Sequence, residues 1–265
     1  MPTVHQPYEA HQPTMHRSYE APSRLATFLE IRAPLEAFGL LGRWSRLAAA
    51  PRGDGRPVVL VPGFMADGYS MAPLGAYLKR LGYRVLDWGL GRNRGYVEED
   101  IVAFGDRVEA AYESSQESPL TLIGWSLGGI LCREVARLQP EMVREVITFG
   151  TPLVGGPKYT SLGEWIVKRR KIDLPVLEED ILRRNRLGIT QPVTSIFSKS
   201  DGVVGWTASI DVFNRQARNV EVKGSHFGLG VNPAVWLTIA ETLGGSRDGA
   251  AAGPADVGPS PSPCA

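Results

Sequence analysis

The chain has few of the residues that build disulfide scaffolds and metal centres. Its 265 residues include two cysteines, Cys132 and Cys264, and four histidines, of which only His226 lies beyond position 16. Two cysteines cannot supply a disulfide framework, and neither has neighbours at metal-ligand spacing. A His-rich tract can bind metal, but a solvated tail is the simpler interpretation of the other three histidines. We therefore expect neither a metal site nor a cofactor.

The sequence also lacks an excess of charge of one sign and a long apolar run. Lys and Arg number 29 against 28 Asp and Glu, a formal net charge of +1. Such a balance gives no basic field for nucleic acid, so we expect no nucleic-acid partner. The first 23 residues contain no apolar signal-peptide region. Charged side chains such as Glu30 and Arg32 interrupt the amphipathic stretch 25–50, so it cannot span a bilayer. These absences predict a cytoplasmic protein.

Composition divides the chain into four parts. Residues 1–23 are polar and rich in Pro, His and Tyr, and residues 244–265 are rich in Gly, Ala, Pro and Ser, so both are predicted to be disordered tails. Residues 24–50 form an amphipathic helical segment that Pro34 divides. The segment is expected to pack on the domain as a helix, with weak contact to a membrane or lipid surface as the alternative. Residues 51–243 form the main domain.

Apolar strand-like runs alternate with helical periodicity through the main domain. Pro57–Val61 reads PVVLV, a continuous apolar run as expected for a strand buried on both faces. Leu120–Trp125 and Val193–Ser198 are further predicted strands. This alternation predicts an α/β fold with a doubly wound, mostly parallel sheet. Residues 155–191 are more charged and break the rhythm, so we interpret them as a helical insertion.

The turn after the predicted strand Leu120–Trp125 carries a candidate nucleophile. Residues 124–128 read Gly-Trp-Ser-Leu-Gly, a G-x-S-x-G pattern placed between a strand and a helix. A serine at such a sharp turn needs strained backbone, and the glycines let the chain and the following helix approach closely. The pattern alone is weak, but its strand–turn–helix context predicts that Ser126 is catalytic.

A base and an acid are available at other strand exits. His226 follows the last predicted strand, and strand exits meet at one end of a parallel sheet, so His226 is the candidate general base. The base needs a carboxylate that fixes its tautomer. Asp201 follows strand Val193–Ser198 and is favoured, while Asp211 lies further from the strand end and remains the alternative. A simple turn-forming role is open to either aspartate.

Two backbone N–H groups are candidates for an oxyanion hole. Leu127 follows the nucleophile at the start of its helix, and Phe64 follows the Pro62-Gly63 turn after the first strand. Donors at these two places would stabilise the negative oxygen of a tetrahedral intermediate. An ordinary strand-ending turn is the alternative interpretation of Pro62-Gly63.

Together these motifs resemble the α/β-hydrolase superfamily and, within it, bacterial lipase- and esterase-like proteins of the triacylglycerol lipase group. The resemblance covers about residues 56–243 and includes the chain order Ser, Asp, His. It implies ester hydrolysis through an acyl-enzyme, with Ser126, Asp201 and His226 as catalytic triad, and it implies that residues 155–191 form a helical cap. Pro62 and Trp125 stand where lipases often have histidine, which weakens any transfer of substrate class.

The expected substrate is a small ester with an apolar acyl chain. Apolar residues of the insertion could face the nucleophile from above, and Met65 and Trp125 are predicted to add apolar substrate-binding walls from below. Acyl transfer to an alcohol would use the same triad, so an acyltransferase is one alternative function. A non-catalytic binding module on the same fold is another.

Overall fold

The computed structural model describes residues 19–214 and 216–245. Most of the predicted N-terminal tail and residues 246–265 of the predicted C-terminal tail lie outside these ranges. The N-terminal segment folds as four short helices, which are α1 (Arg24–Phe28), α2 (Ala33–Glu36), α3 (Gly39–Gly42) and α4 (Trp44–Ala48). A 3-10 turn at Leu29–Arg32 joins α1 to α2. The Ser23 side chain caps α1 by accepting from the Ala26 N–H.

Six parallel strands form the sheet of the main domain. They are β1 (Pro57–Val61), β2 (Arg84–Asp87), β3 (Leu120–Trp125), β4 (Val143–Phe149), β5 (Val193–Ser198) and β6 (Arg218–Val222). Their spatial order is β2-β1-β3-β4-β5-β6, and every pairing is parallel. Every residue of β1, β3 and β5 is buried, because helices cover both faces. The predicted doubly wound parallel sheet is confirmed.

The remaining helices connect the strands and cover the sheet. They are α5 (Gly68–Leu81), α6 (Val97–Glu113), α7 (Leu127–Leu138), α8 (Gly163–Arg170), α9 (Leu174–Leu187) and α10 (Pro233–Gly245). Helices α4, α5 and α10 bury one face of the sheet around Leu78 and Trp236. Helices α6 and α7 bury the other face around Phe104 and Leu131. Helices α8 and α9 lie between β4 and β5, within the stretch interpreted as an insertion.

The N-terminal segment packs on the domain mainly through its carboxylates and the buried side chain of Leu47. Most of its large apolar side chains are exposed, while Leu47 of α4 is buried in the core. Its two acidic residues face the domain: Phe28 is 70% exposed, whereas Glu30 is 7% exposed. The exposed apolar set is Leu25, Phe28, Leu29, Ile31, Leu35, Phe38, Leu41 and Trp44. The segment therefore packs on the domain, but most of the apolar face given by its helical spacing is exposed. The physical reason is that the carboxylates bind backbone N–H groups of the domain.

Candidate active site

Ser126 occupies a strained turn between β3 and α7. Its φ of 53° and ψ of −123° lie in a region that side-chain-bearing residues rarely adopt. The turn requires glycine on both sides, because a Cβ at Gly124 would collide with the backbone of Gly129 and one at Gly128 would collide with the carbonyl of Val61. The Ser126 N–H donates to the Phe149 carbonyl at 2.9 Å, which anchors the turn to β4. The serine hydroxyl thus stands at the carboxyl end of the sheet.

His226 and Asp201 form a buried pair at the exits of β6 and β5. The distance between His226 Nδ1 and Asp201 Oδ2 is 2.8 Å. The other carboxylate oxygen, Oδ1, accepts from the N–H groups of Val203 at 2.8 Å and Val204 at 2.7 Å. Because a carboxylate only accepts, Nδ1 carries a proton, and in the neutral ring the lone pair is therefore on Nε2. This is the tautomer that a general base needs.

The imidazole lies beside the nucleophile turn. The ring of Trp125, the residue before Ser126, has its centroid 5.8 Å from that of His226. Gly150 adjoins the other side, since a Cβ there would lie 3.1 Å from the imidazole Cε1 and Nδ1. Within the described chain the Ser126 hydroxyl has no hydrogen-bond partner. Contacts between nucleophile and base are often loose until substrate binds.

Asp211, the alternative acid, is engaged elsewhere. Its Oδ2 lies 2.6 Å from Arg133 Nη1, and both side chains are buried. Burial alone raises the pKa of Asp211, but the Arg133 guanidinium and hydrogen bonds from Asn214 outweigh it and hold that pKa below its ordinary value. Of the two candidate carboxylates, Asp201 is therefore the one that contacts His226.

The two candidate oxyanion donors lie on either side of Ser126. Leu127 is the first residue of α7, where a helix N-terminus favours negative charge. Gly63 packs against the serine, since a Cβ there would lie 3.2 Å from Ser126 Cβ, and this contact brings the Phe64 loop beside the nucleophile. Neither the Phe64 N–H nor the Leu127 N–H donates to another described residue. Both remain free to bind a ligand oxygen.

The sequence did not identify Asn93, which holds the loop of Phe64. This side chain is fully buried and donates through Nδ2 to the Pro62 carbonyl at 2.9 Å. Its backbone carbonyl accepts from the Met65 N–H at 2.6 Å, and its N–H donates to the Ala66 carbonyl at 2.8 Å. Asn93 lies in the glycine-rich loop 89–95 between β2 and α6. A polar residue amid those glycines was the signal available.

A cavity of about 420 Å³ opens above Ser126, between the sheet and helices α8 and α9. Its floor includes Phe64, Ser126 and Leu127. Its roof comes from the insertion and is mostly apolar, through Leu162, Ile166, Leu177 and Ile181. Arg170 and Arg184 of the same helices also line the cavity. The cavity is therefore shaped for an apolar group next to the serine.

The two predicted substrate-binding residues do not line this cavity. Met65 is 51% exposed. Trp125 is buried below the turn, where its ring stacks on Phe149 with centroids 5.9 Å apart and also contacts His226. The geometry gives Trp125 a supporting position under the imidazole rather than a wall of the cavity.

Arg170 joins the end of α8 to the loop before α6. Its guanidinium lies 4.2 Å from the ring centroid of Tyr96 and donates to the Arg94 carbonyl. Trp165, also on α8, meets Phe64 edge-to-face with centroids 6.4 Å apart. These contacts hold α8 over the cavity.

The described ranges hold neither a cluster of metal-ligating side chains nor a helix suited to span a membrane. Residues 19–214 and 216–245 contain no group of three or more His, Cys, Asp or Glu side chains that could hold a metal ion. Over the same residues, every helix is too short or too polar to cross a bilayer. The N-terminal histidines His5, His11 and His16 lie outside the described residues.

Comparisons with known proteins agree with this architecture. A model of the alpha/beta hydrolase family matches residues 58–261. A lipase-esterase related protein from Clostridium acetobutylicum is 19% identical with a TM-score of 0.53, over 73% of this chain and 96% of that one. A monoacylglycerol lipase from Paleococcus ferrophilus is 17% identical with a TM-score of 0.53, over 74% and 97%. A thioesterase domain from the curacin biosynthetic pathway is 14% identical with a TM-score of 0.50, over 74% and 91%. Solved structures of such low identity show that the fold is shared and nothing beyond the fold.

Proposed function

Because this chain belongs to the alpha/beta hydrolase family, we propose that it is a serine hydrolase that cleaves carboxylic esters with Ser126, His226 and Asp201 as its catalytic triad. The observation that carries the proposal is the 2.8 Å contact between His226 Nδ1 and Asp201 Oδ2, buried beside the strained Ser126 turn. A free serine hydroxyl is a weak nucleophile, so it needs a base with an available lone pair. His226 Nε2 supplies that lone pair.

The reaction proceeds through an acyl-enzyme. His226 Nε2 takes the Ser126 proton as Oγ attacks the acyl carbonyl carbon, and the carbonyl oxygen becomes negative. The Phe64 and Leu127 N–H groups bind this oxygen, and Asp201 stabilises the imidazolium. The C–O bond to the alcohol then breaks, and His226 gives its proton to the departing alkoxide. Water, deprotonated by His226, then attacks the acyl carbon, and the bond between that carbon and Ser126 Oγ breaks. His226 returns the proton to Oγ and the carboxylic acid leaves, which restores the free enzyme.

The apolar cavity favours an acyl chain longer than acetyl. Each additional buried CH₂ contributes at most about 0.8 kcal/mol, which is about fourfold in kcat/KM. We propose a preference for acyl groups of roughly four to ten carbons. The gain in kcat/KM should stop once the acyl chain reaches past Leu162 and Ile181 at the roof of the cavity. Each methylene beyond the length that the cavity holds should add nothing.

A panel of p-nitrophenyl esters of increasing acyl length tests this function. The expected result is turnover that rises from acetate to a medium chain and is lost in Ser126→Ala. The matched control is Ser70→Ala, a serine on α5 outside the cavity lining, which should keep wild-type turnover. A wild type with no turnover on any ester would contradict the proposed substrate class. A product that is mainly an ester of an added alcohol would identify an acyltransferase instead.

The exposed apolar side of the N-terminal segment supports a lipid surface as partner. Phe28, Ile31 and Leu41 are 70%, 75% and 77% exposed. The exposed charges of the segment are basic, such as Arg24 and Arg43, whereas Glu30 and Glu36 are turned toward the domain. Apolar side chains with basic charges suit an anionic lipid surface. We propose weak binding to vesicles of phosphatidylglycerol, which Phe28→Ser with Ile31→Ser should abolish.

A further inference from the structure

We infer that Glu30 is a positioning residue that holds the acid and base loops of the active site in register. Glu30 lies in the turn between α1 and α2 and is 7% exposed. Its Oε1 accepts from the N–H groups of Gly202 at 2.7 Å and His226 at 2.8 Å. Its Oε2 accepts from the Phe227 N–H at 3.0 Å. This inference rests on the proposed function of Ser126, His226 and Asp201.

The three N–H groups belong to the two loops that must stay aligned. Gly202 follows Asp201 directly, and the other two N–H groups are those of His226 and its neighbour. One carboxylate therefore fixes the backbone on both sides of the 2.8 Å contact between Asp201 and the imidazole. A relative shift of the loops would lengthen that contact. Hydrogen bonds from N–H groups to a charged acceptor are the stronger kind, which suits this task.

Neighbouring contacts attach the same segment to the same loops. The Thr27 hydroxyl donates to the Gly202 carbonyl at 2.7 Å. Position 202 must be glycine for this approach, because a Cβ there would lie 2.9 Å from Glu30 Oε1 and collide with the Ala26 carbonyl. Glu36 accepts from the Ser225 N–H through both oxygens, at 3.1 and 3.0 Å. The N-terminal segment is thus built around the catalytic loops.

Glu30→Gln is the sharpest perturbation, because it keeps the size of the side chain. An amide keeps one acceptor oxygen and turns an NH₂ group toward N–H donors, so at least one of the three bonds is lost. Misplacement of about 1 Å near reacting groups can cost about 10²-fold in rate. We expect kcat to fall by about that factor with KM unchanged, because Glu30 does not line the cavity. Glu109→Gln, an exposed change on α6, should retain wild-type kcat.

A low-field proton NMR resonance from the His226 Nδ1–H, identified by its loss in Asp201→Asn, reports the positioning directly. It should broaden or move in Glu30→Gln and stay in place in Glu109→Gln. An unchanged kcat or an unmoved resonance would overturn the role of Glu30. If wild type cleaves no ester, the proposed function fails, and the resonance still decides whether Glu30 holds the pair.

Hydrogen exchange covers the case in which Glu30→Gln does not fold. In the wild-type protein the amide protons of Gly202, His226 and Phe227 should exchange slowly, because each donates to the buried carboxylate. Rapid exchange at all three would overturn the inference.

Discussion

Exchanging each of the two candidate aspartates for asparagine separates catalysis from stability. In Asp201→Asn, the remaining oxygen should keep the position that accepts from the Val203 and Val204 N–H groups. The new NH₂ group then faces His226 Nδ1 and donates to it. The imidazole must place its own proton on Nε2, where it can no longer accept the proton of Ser126. We therefore expect loss of the base with the fold intact.

The expected size follows from the lost tautomer. On the precedent of catalytic triads, kcat should fall by up to about 10⁴, which corresponds to about 5.4 kcal/mol. Asp211→Asn should do the reverse, because it removes the charge that pairs with buried Arg133. Leaving one member of a buried pair uncompensated costs about 3–5 kcal/mol, or about 10 °C in thermal midpoint, with kcat nearly unchanged.

Ester turnover and thermal unfolding of both variants provide the assay. Turnover is measured well below the unfolding transition of Asp211→Asn, so that only folded protein is compared. The reasoning predicts a catalytic defect without a stability defect in Asp201→Asn, and the converse in Asp211→Asn. If Asp211→Asn lost the larger share of kcat while folded, the assignment of the acid would be wrong.

Three further predictions concern the cavity roof, acid pH and the chain ends. Leu162→Asp should raise KM for medium-chain esters more than for acetate, whereas the exposed control Val176→Asp should leave both unchanged; equal effects would remove the apolar roof. Because the pKa of Asp211 is lowered on folding, its contribution to stability is present above about pH 4 and is lost as pH falls through the lowered folded pKa. The difference in unfolding free energy between wild type and Asp211→Asn should therefore shrink below about pH 4 in urea titrations, and a constant difference would contradict the ion pair. Removing residues 1–18 and 246–265 should change neither thermal midpoint nor kcat, and lost activity would give those ends a role.

Local sequence signals predicted the sheet and the nucleophile turn closely. Strands β1, β3 and β5 have the predicted bounds. The continuous apolar run of β1 reflects burial on both faces of the sheet. The turn at Ser126 was readable because its glycines are required by close backbone approach. These features depend on residues near one another in the chain.

Features set by distant parts of the chain could not be read in the same way. Glu30 and His226 are 196 positions apart, and no local pattern links a carboxylate to the backbone N–H of such a distant residue. The helical spacing of the N-terminal segment predicted an apolar face but could not show that its acidic side is the one that packs. Trp125 was predicted to line the substrate site because it adjoins Ser126. Its ring instead stacks on Phe149 below the nucleophile turn.

Covalent labelling with a fluorophosphonate probe tests the central claim most directly. The probe reacts with a serine that a base has activated, so mass spectrometry of the digested protein should find one modified peptide, with the adduct on Ser126. Labelling should disappear in Ser126→Ala and fall strongly in His226→Ala, while both variants keep the wild-type far-UV circular dichroism. Undiminished labelling of Ser126→Ala, or an adduct at another serine of the wild-type protein, would contradict the assignment of Ser126 as the nucleophile.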